Sequence, residues 1–267
     1  MYKNQGDLAK RIAFAWQVAG APKTISMRTK SAWDMFIAAG DAAQCTCGGR
    51  WIPLTESLLK YQVQNFPKNG LKDEMPHSVE VRSAITTALV HGNQKRINVF
   101  IYGPKDAGKS HVIEPLVNVF GEYAFVRPVG KTNNYPFQEL FGKKVAVLQD
   151  IRASTYKVGF DGLLVWFESK SFRVPLPQNL HAGDRLYKER APVFASAGAK
   201  LKMSPKEAYE LEVNLFEQND MMDARFRFFH HATSLEKCES CPACTKCYVE
   251  WVRFGPPVPD DQEEWFV

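Results

Sequence analysis

The chain predicts an α/β fold: a P-loop parallel sheet flanked by helices, with an N-terminal helical region ahead of it and a C-terminal cysteine-rich appendage behind. Three observations carry this. Residues 96–114, RINVFIYGPKDAGKSHVIE, read as an apolar strand, a glycine-bounded loop and a helix start. Beyond residue 92, strand-like apolar runs alternate with helical segments, the pattern of strands joined by crossover helices. Near the C-terminus, Cys238, Cys241, Cys244 and Cys247 succeed one another at three-residue steps.

The elements follow in order. Residues 1–92 read as helical: segment 7–19 sets Leu8, Ile12, Ala15 and Trp16 on one stripe, and segment 78–91 runs from Ser78 as N-cap to Gly92 as C-cap. Gly48-Gly49 and Pro67 to Gly70 mark loops between them. Strands are expected over 97–102, 122–127, 144–149, 192–196 and 225–230, and helices over 109–119, 160–169 and 205–217. The last helix has Ser204 as N-cap, Pro205 at its first position and Glu207 to complete a capping box. The Pro-rich, acidic stretch 255–267 is expected to fray. The division predicted is 1–92 helical, 93–235 the P-loop domain, and 236–267 the cysteine-rich appendage and tail.

At 267 residues and 45% hydrophobic composition, the chain can bury a full core and is not a disordered polymer. It has no run of 18 apolar residues and no signal-peptide core at its start, so an intracellular, membrane-free protein is expected. A net charge of +5 is only mildly basic. The first 30 residues carry Lys3, Lys10, Arg11, Lys23, Arg28 and Lys30 against Asp7 alone, which suits either a phosphate-contacting arm or a solvated face.

The loop Gly103-Pro104-Lys105-Asp106-Ala107-Gly108-Lys109-Ser110, running into His111, fits G-x-x-x-x-G-K-[ST] between strand and helix. Such a loop surrounds a polyphosphate with backbone N–H groups and the positive end of a helix. Lys109 is expected to meet the β- and γ-phosphates of ATP and Ser110 to hold Mg²⁺. The pattern arises by chance in about one chain in a hundred of this length, given average residue usage. An acid at the end of a neighbouring strand is needed for the metal shell, and Val145-Ala146-Val147-Leu148-Gln149-Asp150 supplies Asp150. Ser196 ends the buried run Pro192 to Ser196 as a candidate γ-phosphate sensor, and Arg225 is a candidate arginine finger. The alternative for Arg225 and Arg227 is alternation on an edge strand.

These motifs, in this order and at this spacing, resemble superfamily 3 helicases, AAA+-type replication motors, and in particular the parvovirus-type non-structural replication proteins. The likeness covers about 90–232. It implies a homo-oligomeric, hexameric ring that hydrolyses ATP between subunits and moves on single-stranded DNA, in the nucleus. It also implies basic residues on a hairpin before the sensor strand, here Lys170, Arg173, His181 and Arg185. Two departures stand out. Gly198 occupies the position where the family has a sensor Asn, and Gln149-Asp150-Ile151 offers one acid where relatives have two. Glu168 or Glu139 is the candidate replacement. A non-catalytic ATP-binding adaptor and a P-loop small-molecule kinase are the other readings, the second weakened by the lack of an Arg-rich lid. Residues 1–92 contain no His-hydrophobe-His nuclease motif.

The cysteine run can close a tetrahedral Zn²⁺ site through Cys238, Cys241, Cys244 and Cys247. A [4Fe–4S] ligand run has a longer last spacing, and unliganded thiols or disulfides are the remaining options. Cys45-Thr46-Cys47 is read as packing, its cysteines too close in sequence to serve one site comfortably.

Overall fold

A computed structural model describes residues 29–64, 77–126, 137–151, 160–174, 185–234 and 243–256, with isolated positions 11, 15 and 26. Arg11 and Ala15 are helical; the rest of the expected stripe over 7–19 lies outside the described residues, as do 67–70 and the tail beyond 256. Among the described residues no helix is long and apolar enough to cross a membrane.

Five parallel strands form the sheet: β1 (Asn98–Tyr102), β2 (Ala124–Val126), β3 (Val145–Leu148), β6 (Val193–Ala197) and β7 (Phe226–His230). Their spatial order is β2-β3-β6-β1-β7. Each overlaps a predicted run, with β6 extending one residue past the expected end at 196. The strands are short apolar runs because both faces are covered, so alternation along them sorts residues between two cores. Val99 and Ile101 of β1 join Val145, Val147, Phe194 and Phe229 on one face. Phe100 joins Ala146, Leu148, Val193 and Ala195 on the other.

The first face is covered by helices from both ends of the chain. These are α1 (Ala32–Ala42), α2 (Trp51–Gln64), α3 (His77–His91), α4 (Lys109–Ile113), α5 (Pro115–Phe120) and α9 (Thr245–Phe254). Ser31 caps α1, accepting from the Asp34 N–H at 3.0 Å. At the crossing of α1 and α9, a Cβ on Gly40 would stand 2.3 Å from Val249 Cγ1, so the two helices meet backbone to side chain. Trp251 of α9 donates its indole N–H to Glu56 of α2 at 2.6 Å, and Arg253 reaches Asp41 of α1 at 3.0 Å. The C-terminal helix is therefore a wall of the first core.

The second face carries α6 (Phe160–Phe167), α7 (Pro205–Glu210), α8 (Leu215–Asp223) and a hairpin of β4 (Phe172–Val174) and β5 (Arg185–Tyr187). Two predicted helices are split. The run expected over 109–119 breaks at Glu114, because Pro115 has no N–H for the ladder. The run expected over 205–217 ends at Glu210, and Asn214 opens α8 by accepting from the N–H groups of Phe216 and Glu217. Ser78 lies inside α3, which begins at His77, so it is not the N-cap. Ser204 caps α7 as expected, its hydroxyl accepting from the Glu207 N–H at 3.1 Å.

Candidate nucleotide site

The P-loop leaves the C-terminal end of β1, and two of its residues have to be glycine. Gly103 has φ +150°, and a Cβ there would lie 1.9 Å from the His231 carbonyl oxygen. Gly108 has φ +73°, and its Cβ would fall 2.4 Å from Leu58 Cδ1 on α2. Both are needed to bring the loop against neighbouring elements.

Lys109 is buried, and its amine donates to the carbonyl of Gly103 at 2.9 Å and to that of Pro104. Burial lowers its pKa, and the carboxylates of Asp150 and Asp106 oppose that shift. The Lys109 charge thus sits within the field of Asp150, at the end of β3. The sheet order explains how: β6 lies between β1 and β3, so its C-terminal end bridges the loop and the acid. Gly103 donates to the Ala197 carbonyl at 3.2 Å, and Ile151 to the Ser196 carbonyl at 2.9 Å. The Asp150 N–H approaches the buried Ser196 hydroxyl at 3.5 Å. Asp150 itself is exposed, with a left-handed backbone at φ 49° that turns it out of the strand. Lys109, Ser110, Asp150 and Ser196 are thereby gathered at one edge of the sheet.

Residues that the sequence did not single out hold the outer turn of the loop. The Ala107 carbonyl meets Gln62 Nε2 of α2 at 3.3 Å and His231 Nδ1 at 2.9 Å. The same Gln62 amide donates to the Thr233 carbonyl at 2.8 Å and accepts from its N–H at 3.0 Å. Ser234 donates to the Lys105 carbonyl at 2.8 Å. Pro104, Lys105 and Asp106 form the exposed tip. His111, expected beside the nucleotide, points its ring elsewhere: it stacks on Trp51 at 5.0 Å and its Nε2 meets the Thr55 hydroxyl at 2.8 Å. Its side chain is a packing contact between α4 and α2, and burial brings its pKa down to about 4. Burial likewise brings His231 to about 4, with the Ala107 hydrogen bond opposing.

Two expected roles are overturned by position. Arg225 precedes β7, at the end of the sheet opposite the P-loop, and is 3% exposed. It donates to Glu168 Oε2 at 3.1 Å and to the Met221 carbonyl at 2.8 Å, so it is an internal tie and not an arginine finger extended to a neighbour. Arg227, two residues on, is exposed on the edge strand. Glu168 belongs to the same far-edge network and cannot serve as a second acid at the phosphate end. Lys95 at 2.6 Å pulls its pKa down to about 2 against the effect of burial, with Lys170 at 3.1 Å and Arg225 adding to the fall. Glu139 lies in a short 3₁₀ turn, Gln138–Leu140, on the chain leading into the opposite end of β3.

Of the expected basic residues on the hairpin, Arg173 is exposed, Lys170 pairs with Glu168, and Arg185 lies over the Phe141 ring at 4.3 Å. His181 falls outside the described residues. A cleft of about 520 Å³ includes Lys143, Lys144, Arg185 and Arg190 in its lining but none of the P-loop residues.

The cysteines regroup. Cys45, Cys47, Cys244 and Cys247 have sulfurs all within 4.8 Å of one another, a set that can hold a metal ion. Cys45 and Cys47 are thus not mere packing, and the two residues from the C-terminal run find partners some 200 positions away. Cys238 and Cys241 lie outside the described residues.

No protein-family model matches the chain, and no curated protein matches it. Among solved structures, the JCV helicase bound to a thiazolopyridinyl-phenoxyphenyl acetamide aligns at 13% identity and a TM-score of 0.48, over 85% of this chain and 60% of that one. The NrS-1 C-terminal region, 305–718, aligns at 11% identity and a TM-score of 0.46, over 76% of this chain and 46% of that one. The chain spans about 60% or less of the length of these structures. At this degree of similarity the alignments carry no argument about the reaction.

Proposed function

We propose that the chain is a P-loop ATPase domain that binds MgATP at the C-terminal edge of its sheet and couples it to movement on single-stranded DNA. The observation that carries the reading is the convergence of Lys109, Asp150 and Ser196 across β6, the strand inserted between loop and acid. In this reading the N–H groups of the loop and the start of α4 cradle the phosphates. The Lys109 amine leaves its carbonyl partners for the β- and γ-phosphate oxygens. Ser110 and Asp150 hold the Mg²⁺ shell, and Ser196 marks the γ-phosphate. Magnesium supplies charge neutralisation on the transferred phosphoryl group. The superfamily 3 resemblance supports a ring of subunits and a DNA substrate, with exposed Arg173 on the hairpin as a phosphate contact.

A second reading, an ATP-binding adaptor without turnover, is favoured by one specific observation. Glu168, weighed as a second acid beside Asp150, is engaged by Lys95, Lys170 and Arg225 at the other end of the sheet, so it does not orient water there. One assay separates the readings: nucleotide affinity and ATPase rate, with and without single-stranded DNA. The motor requires turnover stimulated by DNA; the adaptor requires binding with none. Transfer of phosphate to a metabolite would replace both with a small-molecule kinase, and failure to bind any nucleotide would remove the P-loop reading.

A further inference from the structure

We propose that Cys45, Cys47, Cys244 and Cys247 form a structural Zn²⁺ site that staples the α1–α2 connection to the start of α9. The geometry is that of a single ion. The sulfurs of Cys45 and Cys47 stand 3.8 Å apart, those of Cys45 and Cys247 3.5 Å, and those of Cys47 and Cys247 3.4 Å. A tetrahedron built on Zn–S bonds of about 2.3 Å has edges of about 3.8 Å. Disulfides need sulfurs at about 2.05 Å, and these cysteines are free. An iron–sulfur cube would hold its thiolates around a cluster several ångströms wide, which four sulfurs this close together do not span.

Each half of the site is built for thiolates. Gly48 and Gly49, at φ 61° and 78°, fold the chain back after Cys47 so that the Gly49 N–H donates to Cys45 Sγ at 3.3 Å. That turn is how two cysteines one residue apart can face one ion. Cys244 is the N-cap of α9, where free N–H groups and the helix dipole favour negative sulfur, and Cys247 lies in the first turn of the same helix. Three of the four are buried, so four ligands close the site and leave no open position for a substrate.

The site's place in the molecule gives it a consequence for the nucleotide. Trp51, four residues after Cys47, begins α2, and α2 touches the P-loop helix and loop through Trp51–His111, Thr55–His111, Leu58–Gly108 and Gln62–Ala107. Trp51 also packs edge-on against Tyr248 and Trp251 of α9, at 5.3 and 5.6 Å. The ion would therefore join the starts of α2 and α9, and α2 is the helix against which the P-loop packs. The metal assignment itself does not depend on the proposed ATPase activity.

The test is metal analysis of the purified full chain, prepared without chelator, with cobalt exchange as the spectroscopic probe. The expected result is zinc bound stoichiometrically, and a cobalt form with the intense visible and thiolate charge-transfer bands of a tetrahedral four-sulfur site. Cys45→Ser and Cys247→Ser should each lose the metal, while the double variant Cys238→Ser/Cys241→Ser keeps it. Should the single variants fail to fold, the wild-type protein carries the same test: chelation should expose the four thiols to a maleimide, and mass spectrometry should place the label on Cys45, Cys47, Cys244 and Cys247. A folded wild-type protein without metal, a Cys45–Cys247 or Cys47–Cys247 disulfide, iron in place of zinc, or loss of metal from the Cys238/Cys241 variant with retention in Cys45→Ser would each overturn the assignment. In the demetallated protein, nucleotide affinity is expected to fall about tenfold, about 1.4 kcal/mol. Unchanged affinity would overturn the link to the P-loop and leave the metal content to decide the site.

Discussion

Lys109 is held by its own loop. Its amine donates to the Gly103 and Pro104 carbonyls, and on the proposed reading ATP has to offer it better partners than these. Charge-assisted bonds to phosphate are stronger than bonds to a neutral carbonyl, so the exchange favours the nucleotide. Lys109→Ala is expected to lose nucleotide binding by at least a hundredfold in a fluorescent-nucleotide titration, with an unchanged circular dichroism spectrum. Asp150→Asn should differ in kind, keeping nucleotide affinity within a few-fold while Mg²⁺-dependent hydrolysis disappears. Normal hydrolysis by that variant would place the metal acid elsewhere. Gly198 allows a third test at the same edge. A Cβ there meets nothing within 4 Å, so the glycine is not demanded by packing. Gly198→Asn should fold as the parent does, and if a missing γ-phosphate contact limits turnover it should raise kcat by roughly an order of magnitude. An unchanged kcat would mean that the step is limited by something other than that contact.

Helices and strands carry the next set of expectations. The α1–α9 crossing has no room at Gly40, where an added methyl group would overlap Val249. Gly40→Ala is expected to cost about 1–3 kcal/mol, read as a lower urea midpoint, even though alanine is the better helix former. A gain in stability would show that the crossing yields. Arg225 makes the contrasting case at the far edge of the sheet. Arg225→Ala should lower Tm because it removes a buried cation from Glu168, with Lys95 and Lys170 limiting the loss. Mixing that variant with Lys109→Ala protein should restore no ATPase activity, since a structural tie is defective in every neighbourhood. Recovery on mixing would return Arg225 to a role between subunits.

At the scale of the whole molecule, two buried histidines make stability fall in mild acid. His111 and His231 are held at about 4 in the fold against about 6.5 when unfolded. Between those values the unfolded chain takes up protons that the folded chain refuses. Their contribution is therefore complete above pH 6.5 or so and fades as the pH falls towards 4. The unfolding free energy from urea titrations should drop between pH 7 and pH 5, by about 1–2 kcal/mol for each histidine. The Glu168 cluster acts in a lower window, from the ordinary carboxylate range down to about 2, and does not contribute to that slope. His111→Gln should flatten the curve. An equally steep one would assign the effect to other groups.

What the sequence made legible was local. Each strand of the sheet is a short apolar run, and the positions of the glycine loop after β1 and of Asp150 after β3 could be read because each follows directly from one strand end. What it hid depends on partners far along the chain. Glu168 reaches Arg225 across 57 positions, Gln62 reaches Ala107 across 45, and Cys47 meets Cys247 across 200. No periodicity records such pairs. The helix break at Pro115 was written locally and could have been found from the proline alone.

The packing of α9 against α1 also constrains the order of assembly. During synthesis the faces of α1, α2 and α3 that α9 covers emerge long before it does. The Arg253–Asp41 tie spans 212 positions, so the loop that must close is most of the chain. Until it closes, Phe36, Trp51 and their neighbours face solvent or a chaperone, and the first core cannot finish folding as each helix leaves the ribosome. The wall behind the P-loop therefore closes only once α9 is available, and nascent chains stalled before α9 should be bound by chaperones and cleaved readily by protease within α1 and α2.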